Sequence, residues 1–287
     1  MTQAEAKNPT KPAADKAPSP AATTPHKPTL FVAIGRQRVG KTTFLKVLAE
    51  TTRRRGGTPE IWNADGLNRS NKIDDIGGEV LTPPSTDIAV QAAWLAENID
   101  RLATTGKDAI LDIGGGWTAV HKLIQETQIN EVFEELGVSL VTIFVIGLEK
   151  GDLDYLDDLQ SRDFMPPKSL IVINQALLPP GISVDAAADE ILDHPAVVKA
   201  MDGEATYMIF PVLNGIKAIN DRQQGFFDYA ENRPVAGFPP AGAFDRSRVK
   251  RWLNLAIPQV LAKVGPGFLP YMPEGLPTVA EKPGVTR

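Results

Sequence analysis

The chain has 287 residues, of which 43% are hydrophobic and 23% charged, so it can bury a large α/β core and is not disordered throughout. Its formal net charge of −5 argues against a protein whose whole surface binds nucleic acid. It contains no cysteine, which excludes disulfides, a thiolate nucleophile and cysteine-ligated metal sites. Its three histidines lie far apart in sequence and give little support to a histidine metal site.

The two ends of the chain differ in composition from its middle. Residues 1–28 contain seven Ala and six Pro but no Val, Ile, Leu or aromatic residue, which predicts a flexible tail. Residues 265–287 contain five Pro and four Gly and predict an irregular C-terminal tail. The longest apolar run, residues 138–148, is too short to span a bilayer, and no secretory leader is visible, so we expect a cytoplasmic protein. Residues 29–264 are predicted to form one domain.

Within that domain, short apolar runs alternate with amphipathic stretches, which predicts a mostly parallel β-sheet with helices on both faces. The predicted strands are 29–34, 60–63, 109–113, 139–146, 169–173 and 207–212. The predicted helices are 42–55, 87–105, 119–136, 153–162, 185–201 and 244–264.

The strongest chemical motif follows the first predicted strand. It fits the phosphate-binding pattern G-x-x-x-x-G-K-[ST], and a helix is predicted directly after it. The backbone N–H groups of such a loop bind phosphate oxygens at a helix N-terminus, Lys41 would reach the β- and γ-phosphates, and the Thr42 hydroxyl would coordinate Mg²⁺. The nucleotide-binding candidates in this loop are Gly35, Arg36, Gln37, Arg38, Val39, Gly40, Lys41, Thr42 and Thr43.

Two carboxylates are candidates for coordinating the metal ion and for orienting the attacking water beside the bound phosphates. Asp112 ends the apolar run 109–112 and precedes three glycines, which is typical of a metal-coordinating Walker B strand. Asp65 follows another predicted strand and could orient the attacking water, although Asp-Gly is also a common turn.

Taken in order, these segments resemble the ParA/MinD family of P-loop ATPases, whose loop reads K-G-G-x-G-K-T-[TS]. Residues 63–68 (N-A-D-G-L-N) resemble the family's D-x-D segment, and residues 112–115 (D-I-G-G) resemble its D-x-P-x-G loop. Residues 171–174 resemble the strand that ends in an Asn at the adenine base, and residues 210–212 resemble the late strand that carries Pro211. The resemblance adds Asn174 and Pro211 to the nucleotide-binding candidates.

Four positions depart from the family pattern. Arg36 stands where the family has its signature lysine, and Gln37 and Arg38 stand where it has two glycines. Asn63 replaces the first aspartate of the D-x-D segment, which leaves Asp65 as the remaining carboxylate there.

The resemblance implies a three-layer P-loop NTPase fold and a slow, partner-stimulated ATPase that uses ATP and Mg²⁺. It implies a homodimer with ATP between the subunits, Arg36 reaching the partner's nucleotide, and a role in positioning or partitioning DNA or another cargo. Lys41, Asp65 and Arg36 are then the catalytic candidates, and Thr42 and Asp112 hold the metal.

Membrane attachment is not favoured. Nonspecific DNA is a further candidate partner, through a basic helix that carries Arg246, Arg248, Lys250 and Arg251.

Two alternatives remain open. One is a nucleotide-binding accessory protein of conjugation or plasmid stability with weak or no hydrolysis, which the unusual residues 37, 38 and 63 favour. The other is a P-loop kinase or ligase acting on a small molecule, although no second acid/base constellation is visible. A GTPase is disfavoured because no N-K-x-D signature occurs near Asn174, where the sequence reads I-N-Q-A.

Overall fold

The computed structural model describes residues 26–65, 72–114, 118–161, 166 and 168–277. The predicted tail at residues 1–28 lies outside them except for its last three residues. The two loops that carry Gly66, Asn68 and Gly115 lie outside them as well.

A seven-stranded sheet in the order β3-β2-β4-β1-β5-β6-β7 forms the middle of the domain, and every pair of neighbouring strands is parallel. The continuous burial of β1 and β5 is what a parallel sheet covered on both faces requires. All six predicted strands are confirmed, and β3 is an added two-residue edge strand. The strands are β1 (Thr29–Ile34), β2 (Glu60–Asn63), β3 (Val80–Leu81), β4 (Ala109–Asp112), β5 (Ser139–Ile146), β6 (Lys168–Asn174) and β7 (Ala205–Phe210).

Helices cover both faces of this sheet. Two separate clusters of buried apolar side chains lie on its opposite sides, one including Phe44 and Trp252 and the other including Leu95 and Leu156. The predicted three-layer α/β P-loop NTPase fold is therefore confirmed. The helices are α1 (Lys41–Arg54), α2 (Ile88–Thr105), α3 (Thr118–Glu126), α4 (Ile129–Glu135), α5 (Lys150–Ser161), α6 (Val184–Leu192), α7 (Pro195–Met201), α8 (Ile216–Asp221), α9 (Phe226–Ala230), α10 (Ala243–Arg251) and α11 (Ile257–Val264).

Two helices that were predicted as single segments are each divided. The stretch 185–201 ends as α6 and begins again as α7, with Pro195 in the first turn and the His194 ring accepting from the N–H of Ala196. Proline suits that position because its missing N–H has no partner there. The stretch 119–136 is likewise divided between α3 and α4, where the Thr127 hydroxyl donates to the carbonyl of Leu123.

The predicted helix 244–264 is continuous in path but not uniform in winding. A π-helical turn, Trp252–Ala256, joins α10 to α11 just before Pro258. A wider turn accommodates a proline, whose ring and missing N–H do not fit the interior of a regular α-helix.

The start of the predicted C-terminal tail is packed onto the domain. Residues 265–277, which we call the C-terminal strap, are mostly irregular, but Leu269 and Met272 are buried. The carboxylate of Asp108 accepts from the N–H of Tyr271 at 2.7 Å, and Arg55 Nε donates to the carbonyl of Gly275 at 3.0 Å. The domain therefore extends beyond its predicted end at residue 264.

A buried carboxylate joins α1, which carries the phosphate loop, to α9. Glu50 accepts from the N–H of Phe226 at 2.9 Å, and a Cβ on Gly225 would lie 2.2 Å from the Glu50 Oε1 atom. One turn earlier on α1, Lys46 pairs with Asp75 at 2.9 Å, and both side chains are buried. Burial raises the pKa of Glu50 to about 7, with the Asp228 charge adding to the rise and the N–H of Phe226 and the Lys46 charge opposing it.

This carboxylate should make the stability of the fold depend on pH. Between its ordinary pKa of about 4.5 and the raised value of about 7, the folded chain keeps a proton that the unfolded chain releases. The contribution of Glu50 to stability is therefore largest at low pH and is lost as the pH rises through that window. Glu50→Gln should flatten this dependence and, at pH 8, exceed the natural chain in unfolding free energy by about 1 to 3 kcal/mol.

Urea unfolding at pH 5, 6.5 and 8 measures this effect. Glu97→Gln, at an exposed position on α2, is the matched control and should leave the pH profile unchanged. A Glu50→Gln variant with the slope of the natural chain would contradict the assignment.

Candidate functional site

The carboxyl ends of the parallel strands bring the predicted site residues to one edge of the sheet. Asp112 at the end of β4 lies in register with Ala33 of β1 and with Asn63 of β2. The phosphate loop, residues 35–42, leaves β1 at this edge and enters α1. The structure thus brings Lys41, Asp65 and Asp112 together, as the sequence predicts for strand ends in an open α/β sheet.

The phosphate loop has the backbone that the motif requires. Gly35 and Gly40 have φ values of 136° and 100°, and a Cβ on Gly40 would lie 2.6 Å from the Asn174 amide nitrogen. Arg38, where the resembled family has glycine, adopts a left-handed φ of 64°. The loop therefore keeps a glycine-like backbone at this position, at a cost of about 1 kcal/mol for an L-residue.

The N-terminus of α1 is open to an anion. Gly40 precedes the helix, no side chain caps it, and its first turn carries no acidic residue. Helix N–H groups without an intrahelical partner, together with the helix dipole, attract phosphate. The Lys41 ammonium group donates to the carbonyls of Gly35 and Arg36 at 2.9 and 2.7 Å, so it lies across the loop. Burial lowers the pKa of Lys41, and the charges of Asp112 and Asp65 oppose that shift.

Asp112 is the residue whose surroundings most clearly favour a ligand. Its side chain is buried, and its Oδ1 atom has no hydrogen-bond partner. Burial raises its pKa to about 7; the charges of Asp65 and Asp74 add to this, whereas the Thr42 hydroxyl and Lys41 act against it. A buried carboxylate oxygen without a partner is costly for the folded state unless a cation or donor reaches it.

Thr42 and Asp112 therefore fit a Mg²⁺ ion. The cation prefers oxygen ligands and commonly takes one or two from protein, with water and substrate phosphates completing the set. Among the described residues, no three acidic or histidine side chains form a metal cluster on their own. A shared site, in which phosphate oxygens supply further ligands, suits this arrangement.

Asn63 has a structural reason for being an amide rather than an acid. Its side-chain oxygen accepts from the N–H of Asp65 at 3.0 Å, and its nitrogen donates to Asp74 Oδ1 at 2.7 Å. An aspartate here would place a second carboxylate against Asp74. The Asp65 side chain also lies next to Gly114, where an added Cβ would be 3.1 Å from its Oδ1 atom.

Arg36 is held within its own chain. Its guanidinium donates to Glu149 at 2.8 Å and to Asp152 at 3.1 Å, at the start of α5. These acids raise the pKa of Arg36, with the Glu149 hydrogen bond the main cause and Asp152 second. Asp152 is buried and also accepts from the N–H of Gly147 at 2.9 Å. Sequence reasoning missed both acids; an acidic pair opening the helix after a central strand is the signal that could have found them.

Asn174 and Pro211, the two nucleotide-binding candidates from the late strands, make hydrogen bonds within the chain. The Asn174 amide donates to the Val39 carbonyl at 2.7 Å, so it holds the phosphate loop against the end of β6. The Pro211 carbonyl accepts from the Trp252 indole at 2.9 Å, and the N–H of Val212 donates to Gln175 at 3.1 Å. Their roles at the adenine base stay predictions.

Other candidates lie on exposed parts of the described structure. Gln37 and Arg38 are exposed at the tip of the phosphate loop. On α10, Arg248 pairs with Asp245 at 2.6 Å and Arg246 donates to the Ala241 carbonyl at 3.1 Å. Lys250 and Arg251 are exposed. No helix in the described ranges is both long and apolar enough to cross a bilayer.

Comparison with known proteins gives similarities in fold. No family model matches the chain, and no curated protein matches it in sequence. The chain is similar to the solved MinD cell division protein of Aquifex aeolicus, with 14% identity over 79% of this chain and 97% of that one and a TM-score of 0.42. It is also similar to the MinC:MinD complex of the same organism, at 13% identity over 79% and 96% and a TM-score of 0.44.

A third similar structure is cell division protein FtsY of Thermotoga maritima, at 13% identity, 80% and 70% coverage, and a TM-score of 0.44. At such identities the likeness concerns the fold, and the chemistry must be argued from the residues of this chain.

Replacing Asp112 should separate stability from ligand binding. Asp112→Asn removes a buried charge whose Oδ1 atom has no partner, so we expect the unfolding free energy to rise by about 1 to 2 kcal/mol at pH 7.5. The same variant should lose the Mg²⁺-dependent part of its affinity for a fluorescent adenine nucleotide.

Urea unfolding and nucleotide titration with Mg²⁺ or with a chelator measure the two effects. Asp189→Asn, at an exposed position on α6, should change neither. An Asp112→Asn variant that is less stable, or that keeps the full effect of Mg²⁺, would argue against a metal-facing carboxylate.

Proposed function

We propose that the chain is a Mg²⁺-dependent ATPase that works as a dimerisation switch in positioning or partitioning DNA or another cargo in the cytoplasm. The observation that carries the nucleotide site is the arrangement of Lys41, Thr42 and Asp112 at an uncapped helix N-terminus, with one buried carboxylate oxygen unpartnered. The switch rests on the resemblance of the loop and strand-end motifs to the ParA/MinD family.

The residues of the site divide the work among them. The loop N–H groups and Lys41 bind the phosphates, with the Lys41 ammonium exchanging the carbonyls of Gly35 and Arg36 for phosphate oxygens. Thr42 and Asp112 would hold Mg²⁺, which would supply positive charge against the charge developing on the phosphates. Asp65, half-exposed beside Gly114, orients the attacking water.

Arg36 is the residue that would contact the nucleotide of the partner subunit in the dimer. Within one chain its charge is neutralised by Glu149 and Asp152. When two chains meet face to face, the γ-phosphate of the partner competes with these carboxylates for the guanidinium. ATP then favours the dimer to the extent that it binds the dimer more tightly than the monomer, as any ligand-driven switch requires.

Light scattering measures the switch directly. With Mg²⁺ and a slowly hydrolysed ATP analogue the solution mass should double, and with ADP it should remain that of the monomer. Arg36→Ala should abolish the doubling and leave nucleotide affinity within about twofold, since its side chain contacts Glu149 and Asp152 rather than the loop.

Arg38→Ala is the matched control, because it removes an exposed arginine from the same loop. It should still dimerise. If Arg36→Ala dimerises as well, the proposed contact with the partner's nucleotide is wrong.

The accessory-protein alternative has its own support in the structure. Arg36 is paired within the chain, and the Asn63 amide occupies the place where the resembled family has a carboxylate. Nucleotide binding with no change of mass and no phosphate release would favour this alternative. Phosphate transfer only in the presence of a second small substrate would favour a kinase or ligase.

If nonspecific DNA is the surface that the dimer binds, the exposed cations of α10 would contact it. Removing one cation that neutralises a DNA phosphate should reduce the slope of log K against log salt by about 0.9. The double variant Lys250→Ala/Arg251→Ala should therefore lower the slope by about 2 for the ATP-bound protein, measured by anisotropy with duplex DNA. Lys199→Ala, an exposed lysine on α7, is the control. No salt-dependent binding by the natural chain would exclude DNA as the matrix.

A further inference from the structure

A pocket of about 450 Å³, which we call the basal pocket, lies at the end of the sheet where the strands begin, opposite the phosphate loop. Its walls include Thr29, Ser139 and Lys168, which begin β1, β5 and β6, together with His26, Lys27 and the C-terminal strap. Because the strands are parallel, this end of the sheet is separated from the nucleotide site by the length of the strands. The size lies within the range of small-molecule sites.

The walls of the basal pocket are fixed by one buried carboxylate. Asp108 accepts from the N–H of Thr29 at 2.9 Å, from the N–H of Tyr271 at 2.7 Å and from the His26 ring at 2.8 Å. The His26 ring also stacks on Tyr271 at 4.7 Å between centroids. Arg55 holds the far end of the strap through backbone carbonyls. A site whose walls are already ordered binds a ligand with a smaller entropy loss.

The lining has a charge opposite to that of the chain. Its described residues include two lysines, Lys27 and Lys168, and no carboxylate side chain, in a protein of net charge −5. Lys168 donates to Glu204 at 2.9 Å and lies 5.6 Å from the Phe268 ring, and an ammonium group has three donors to share. Leu269, Met272 and Leu276 supply an apolar wall from the strap. The pocket thus combines cations with apolar surface.

We propose that the basal pocket binds a soluble medium-chain carboxylate, with the anionic head at Lys27 and Lys168 and the alkyl body against the strap. Charge complementarity selects an anion, and the apolar wall selects a molecule with a hydrocarbon part over inorganic phosphate. This site is independent of the proposed ATPase function, because none of its lining residues belongs to the phosphate loop or to the ends of β2 and β4.

Calorimetric titration of the full chain with hexanoate, octanoate and decanoate, each below its micelle concentration, tests this site. Binding should be 1:1 and should tighten about tenfold for every two methylene groups, as burial of the alkyl body requires. Decyltrimethylammonium, with the same tail and the opposite charge, should bind at least tenfold more weakly than decanoate.

Matched lysine variants locate the site. Lys27→Met and Lys168→Met keep the length of the side chain and remove its charge, and combined they should weaken decanoate about fivefold to tenfold. Lys199→Met, outside the lining, should have no effect. Thermal unfolding confirms that each variant is folded, and unchanged Mg²⁺-nucleotide affinity shows that the distant site is intact.

Four results would overturn the proposal. They are no binding of decanoate, binding that does not depend on chain length, equal weakening by Lys199→Met, and capture of the protein by phosphatidylglycerol vesicles without binding of free decanoate. The third would indicate general attraction to surface lysines, and the fourth a membrane surface. Failure of the dimerisation switch would leave this result unaffected, so the two proposals are tested separately.

Discussion

A buried charge at the carboxyl end of β4 is the constraint around which the candidate site is arranged. Asp112 is enclosed by the sheet and by α1, and one of its oxygens has no partner. The nearby Lys41 offsets part of the cost, although burial disfavours its own charge as well. Such a pair is poor as a stabilising element, since desolvation of two ions rivals their attraction. The position of Asp112 and Lys41 suits a binding site in which a metal ion and a phosphate group would satisfy both charges.

The surrounding elements hold this charged centre in place through backbone contacts. Asn174 binds the Val39 carbonyl from the end of β6, and Gly40 allows the close approach. At the other end of α1, Glu50 joins the helix to α9. The helix that begins at the phosphate loop is thus fixed at both ends.

The departures from the resembled family's loop are compatible with its backbone. Arg38 adopts the left-handed conformation in which a glycine would be unstrained. Asn63 avoids a like-charge contact with Asp74. Arg36 is neutralised by two acids of its own chain, Glu149 and Asp152, which lie 113 and 116 residues away in sequence. Each substitution alters side-chain chemistry while the strand–loop–helix geometry remains.

Six of the seven strands, the phosphate loop and the carboxylate at the end of β4 could be predicted from the amino-acid sequence, because apolar runs and glycine spacing act locally. The contacts between distant segments could not be predicted in this way: the hydrogen bond of Asn174 to the phosphate loop, the partners of Arg36 and the hydrogen bonds of Asp108 to the C-terminal strap. Those contacts depend on strand order and on crossings between distant segments. A periodic pattern carries no information about them, whereas the packing of a parallel sheet fixes them.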